Sequence, residues 1–90
     1  MLLVNTHTIE GKEIEVLGLV YGVGVPPIKI SFSTKAWGSI IEEGVERANQ
    51  SMIEKATQIG ADAIIKVVYD KESSDSSVKI LVWGTAVRFI

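Results

Sequence analysis

The chain contains no cysteine. Disulfides, thiolate nucleophiles and thiolate-bound metals are excluded together. It contains one histidine, His7. A metal ligand needs companions in fixed geometry, and the nearest acids, Glu10 and Glu13, fall in a turn without ligand spacing. No metal ligand is assigned, and His7 reads as an ordinary strand-end residue. Charge of one sign is never concentrated. The net charge is −2, and the 9 basic residues, from Lys12 to Arg88, do not cluster. Nucleic-acid binding needs a local positive field, so that partner is not expected. Long apolar runs are missing too. The longest uncharged segment, Val16–Ile28, is 13 residues, holds three glycines and ends in Pro-Pro, too short and broken to span a bilayer. The N-terminus MLLVNTHTI has no leading Lys or Arg and no small-residue cleavage site. A cytoplasmic protein with no membrane partner is expected.

What is present is apolar residue, at 47% of 90. A single domain of this size buries only about 60–65% of its unfolded surface. Its support must come from packing or from a partner subunit. Glu10-Gly11-Lys12 reads as a turn, and Ile14–Val25 as a long strand ended by Pro26-Pro27. Ile28–Ser33 alternates at period two and reads as a short extra strand. The period then changes. Trp37, Ile40, Ile41, Val45, Ala48, Met52, Ile53, Ala56 and Ile59 form one helical stripe. Ser39 and Glu42 have capping-box spacing, with Ser33 or Thr34 as caps one turn earlier. Glu42 and Glu43 near the start and Lys55 near the end suit the helix dipole, and Glu43–Arg47 is an i,i+4 pair. Gly60 stands where a left-handed C-terminal cap belongs. Ala61–Glu72 and Val78–Ile90 are strands around a polar hairpin loop, Glu72–Ser77.

The stretch IGADAIIKVVYD, residues 59–70, is apolar on both faces. Strict alternation puts Ala63, Ile65, Val67 and Tyr69 on one side and Ile64, Lys66, Val68 and Asp70 on the other. The last strand shows Val78, Ile80, Val82, Gly84 and Ala86 against Leu81, Trp83, Thr85, Val87 and Phe89. One helix covers one face of a small sheet. The other would be a large exposed apolar patch unless a second copy of the chain covers it. A homo-oligomer is therefore expected. A curled sheet that wraps its own helix is the rival reading.

The segments TIEGKEI (8–14), GLVYGVG (18–24), GADAIIKVVYD (60–70) and VWGTAV (82–87) resemble the YbjQ-like family, an uncharacterised family labelled "putative heavy-metal-binding". They account for about a third of the chain and lie towards both its ends. The resemblance implies an α+β, dodecin-like β-α-β-β subunit: a three-stranded antiparallel sheet of order 1-3-2 on one long helix, with short extra strands. It also implies assembly as a ring, usually a pentamer. Between the first strand and the helix, relatives carry a longer segment with Arg and a Gly-Gly pair, where this chain has only VPPIKISFSTKAWGSIIEEG.

The candidate ligand or interface residues are Gly22, Gly24, Asp62, Tyr69 and Trp83. Gly18, Gly22 and Gly24 make a bare strip on the first strand that either admits a ligand or lets a helix or neighbour pack closely, and the second reading is preferred. Asp62 follows the helix end and reads as a turn residue bonded to nearby N–H groups rather than a cation ligand. Tyr69 and Trp83 read as interface anchors before ligand-stacking residues. No phosphate loop is present, no nucleophile has a base beside it, and no catalytic residue is assigned. The expected function is a non-enzymatic, ring-forming module that binds or stores a small ligand or metal ion, with no cofactor assigned. The alternative is a scaffolding ring that binds a protein partner.

Overall fold

The computed structural model describes residues 1–26, 34–73 and 78–90, with residues 34–37 described by their backbone alone. Its elements are β1 (Leu2–Leu3), β2 (Ile14–Gly24), α1 (Thr34–Gln58), β3 (Ala63–Ser73) and β4 (Val78–Phe89). They form an α+β fold, one helix on a four-stranded mixed sheet of order β1-β3-β4-β2. β4 runs antiparallel to both β2 and β3, and β1 runs parallel to β3 with Leu2 beside Ala63. The expected antiparallel order 1-3-2 is that of the three long strands, β2-β4-β3, but the whole sheet is corrected to four strands, mixed, of order β1-β3-β4-β2. The lead-in supplies a fourth, parallel strand, and two residues are too few to show any period. The strand read at Ile28–Ser33, and most of the loop read at Glu72–Ser77, lie outside the described residues.

The helix presents Ala48, Met52 and Ala56 to the sheet, all fully buried. They recur every fourth residue, so they stack on one face. Ile41, Val45 and Ile53 flank them, while Ile59, expected to extend the stripe, is past the helix end and half exposed. The helix begins at Thr34, so Ser39 lies inside it rather than capping it, and no acid occupies its first turn. The alternative caps, Ser33 and the side chain of Thr34, lie outside the described residues. Lys55 does sit in the last turn, and Arg47 Nη2 meets Glu43 Oε1 at 3.0 Å. Gly60, at φ 83°, ends the helix, with Gly60 N donating to Thr57 O and Ala61 N to Ala56 O. That is the Schellman arrangement, in which glycine tolerates the left-handed turn.

Two bulges set which residues share a face. One falls between Val16 and Gly18 on β2, the other between Ile65 and Val68 on β3. Lys66, at φ 53°, carries the second. Each adds a residue and inverts the alternation beyond it. On β3 the helix side therefore receives Ile64, Val67 and Tyr69, whereas strict alternation had set Ile64 against the other two. The main core joins Val20, Ile64, Val67, Val78, Ile80, Val82 and Ala86 to the buried helix residues.

Ala63, Ile65 and Val87 form a second buried cluster on the opposite face. Val4, Ile9, Ile14 and Phe89 pack over it. The chain's own N-terminal segment makes this cover. Val4 N donates to Ile64 O, Val67 N to Val4 O and Lys66 N to Thr6 O, all at 3.0 Å. A turn at Ile9–Lys12, with Gly11 at φ 76°, then leads the chain into β2. The stretch 59–70 is greasy on both sides partly for this reason: its first half is covered by α1 on one face and by residues 4–9 on the other. Burying an Ile or Val in this way contributes about 1.5–3 kcal/mol.

Candidate functional site

Cross-strand neighbours lie on the same face of a sheet, so the register fixes what the far side displays. Away from the helix, the rungs read Leu19–Thr85–Ile65, Tyr21–Trp83–Val68 and Val23–Leu81–Asp70 across β2, β4 and β3. Residues 4–9 shelter only Ile65 and its neighbours at one end. Beyond that shelter the apolar side chains are open: Leu19 is 75% exposed, Tyr21 58%, Val68 47% and Trp83 38%. Val16, Val23 and the partly buried Leu81 extend the patch. Trp83 stands at its centre, between Tyr21 and Val68. Lys55, from the helix, holds its Nζ 3.5 Å from the centroid of the Tyr21 ring at the β2 edge. A cation over an aromatic face is favourable and restrains the ring. The result is a large apolar surface with two aromatic side chains at its middle, larger in character than the scattered apolar residues normal for a monomer.

The five residues singled out in the sequence do not converge. Only Trp83 belongs to this patch. Gly22 and Gly24 lie on the other face, directly under α1. A Cβ at Gly22 would stand 2.7 Å from Met52 N and one at Gly24 2.6 Å from Ala48 N, so both glycines serve helix–sheet contact. Tyr69 also turns to the helix side, where its hydroxyl donates to Asn49 Oδ1 at 2.7 Å. Tyr69 and Trp83 therefore cannot stack on one ligand. Asp62 accepts a bond from Phe89 N at 2.8 Å, while its own N–H donates to Val87 O at 2.9 Å. It fastens the end of β4 instead of closing a local turn. Asp62→Ala is expected to cost about 1 kcal/mol. A thermal melt should show this as a drop of roughly 4–8 °C, partly recovered by Asp62→Asn, which keeps an accepting oxygen.

Sequence reasoning did not single out Leu19, Tyr21 or Val68. Each is a plain apolar residue in a strand, and only the register places them beside Trp83. The remaining polar features are dispersed. His7 is exposed in the segment between β1 and β2. Arg88 Nη2 meets Glu15 Oε2 at 2.7 Å, and this hydrogen bond, then the carboxylate charge, raises the Arg88 pKa above its ordinary value. The pair is half exposed and marks the β2–β4 register more than any chemical centre. An open cleft of about 480 Å³ lies among Leu3, Val4, Asn5, Thr6, Val67 and Tyr69. No charged side chain lines it. Among the described residues no helix is long and apolar enough to cross a membrane.

A family model described as "putative heavy-metal-binding" matches residues 1–90, the whole chain. The chain belongs to the YbjQ family. Among its relatives are UPF0145 proteins: one from Clostridium novyi, 32% identical over all of both chains, and one from Geobacillus kaustophilus, 36% identical over 98% of this chain and 97% of the other. The first alignment runs over 103 positions against 90 residues here, so that relative carries residues this chain lacks. A crystal structure of a DUF74-family protein of unknown function from Pediococcus pentosaceus superposes with a TM-score of 0.78, over 100% of this chain and 98% of that one, at 14% identity. It supports the fold.

Proposed function

We propose that this family member is a homo-oligomeric binding module whose subunits meet through the aromatic sheet face. The exposed row Tyr21–Trp83–Val68, with Leu19 above it, carries the reading. Tryptophan and tyrosine at the centre of an apolar patch are the residue types that anchor interfaces. The monomer already spends its helix on one face and its N-terminal segment on part of the other, and among the described residues nothing covers the rest. A second copy brings the same unmet surface and is the simplest partner. The family resemblance implies a ring, usually of five. A small ligand held at the seam between copies would meet Trp83 and Tyr21. The reading is non-catalytic.

A native mass spectrum of the purified protein at micromolar concentration tests it. The expected spectrum shows a closed assembly of one size. Additional mass per assembly would identify a cargo, and an empty assembly would favour the scaffolding role. A monomer would overturn the reading.

A further inference from the structure

The family description speaks of a heavy metal, and the donor chemistry of this chain can be set against it. Soft metals are held by three or four converging donors, thiolate or imidazole for preference, at about 2.0–2.3 Å. This chain has no cysteine and one histidine, so a subunit supplies a single soft nitrogen donor. Its two methionines do not help. Met52 is sealed in the core beneath the sheet, and Met1 is exposed at the opposite end of the chain.

The carboxylates remain, and several are already engaged. Glu15 is paired with Arg88 and Glu43 with Arg47. Asp62 receives Phe89 N, and Asp70 receives Lys71 N at 2.8 Å. Among the described residues no three of His, Asp and Glu come together. The residues outside that description contribute one acid, Asp75, and no histidine or cysteine. A hard-ion site needs still more oxygens, six to eight for calcium.

We infer that the heavy-metal description does not carry over to this chain: its subunit has no donor set for a soft divalent metal. What it offers a partner instead is apolar and aromatic surface. The test is equilibrium dialysis of the untagged protein, free of any added histidines, against Zn²⁺, Cd²⁺ and Cu²⁺ separately. Retained metal is read by elemental mass spectrometry, with thermal melts of the same samples. The expected result is retention below about a tenth of an equivalent per chain and an unchanged Tm, since binding to the native state alone would raise it. Retention near one equivalent per chain would overturn the inference. So would one ion per assembly that disappears in His7→Ala, because several copies of His7 would then share a site. A native mass spectrum of the dialysed sample reports the number of copies separately, so the metal result does not depend on the assembly proposal.

Discussion

Gly24→Ala is expected to leave the protein largely unfolded, or folded with only a fraction of its stability. The added Cβ would press on Gly44 O and stand 2.6 Å from Ala48 N. Both obstacles are helix backbone, which cannot rotate aside as a side chain can. The helix would have to lift from β2, and Met52 and Ala56 would lose contact with Val20 and Val82 along the same seam. Overpacking a core costs about 1–3 kcal/mol where side chains can yield, and more is expected where they cannot. A domain of ninety residues has a total of only about 5–15 kcal/mol. Gly22→Ala should behave alike, because its Cβ meets Ala48 O and Met52 N. Gly38→Ala is the control. That position is exposed in the helix with nothing within 4 Å of a Cβ, so alanine should stabilise it by about 0.5–1 kcal/mol. Urea unfolding of the three variants checks all of this. A stable Gly24→Ala protein would mean that the helix does not lie against β2 as described.

That contrast also shows where sequence patterns carry structural information. The helical stripe from Ile41 to Ala56 was readable because it repeats over several turns against a sheet that demands one apolar face. The faces of β4 were readable because that strand keeps one unbroken alternation from Val78 to Phe89 within each pairing. β2 and β3 were not, because a bulge is a local event. Nothing in "VLGL" or "IKVV" announces that the strand will carry an extra residue there, at Leu17 or at Lys66, and exchange its two sides. The capping box at Ser39 and Glu42 misled for a related reason: its spacing is real, but the helix had already begun at Thr34. The candidate site was least legible of all. Leu19, Tyr21, Trp83 and Val68 come from three strands, and their adjacency is a property of register, which the bulges at Val16–Gly18 and Ile65–Val68 settle. Asp62 illustrates the same limit at short range. Its place after the helix suggested a turn, yet its carboxylate reaches the end of β4.

Trp83→Asp is expected to convert the assembly to monomer. Trp83 sits at the middle of the exposed patch, flanked on both sides by apolar side chains, so a partner copy would seal a carboxylate there without a counter-charge. Burying an unpaired charge costs several kcal/mol, and aromatic anchors at interface centres account for about 2 kcal/mol or more on truncation. Each 1.4 kcal/mol is about a tenfold loss of affinity, so dissociation at micromolar concentration should be nearly complete. The helix-side core contains none of Trp83's side chain, and the far-UV circular dichroism should therefore keep its native shape. Leu19→Glu guards against the objection that Trp83 also supports the monomer. Leu19 is 75% exposed and has little to lose within its own subunit, yet it lies one rung from Tyr21 and Trp83 on the same face. If both variants fold and dissociate, the aromatic face is the seam. If both keep the wild-type mass in a native spectrum, the copies meet elsewhere and the patch has another occupant. A result split between them would place the seam's edge between the Leu19 and Trp83 rungs, a distance of one strand repeat, because side chains on one face of a strand recur every second residue.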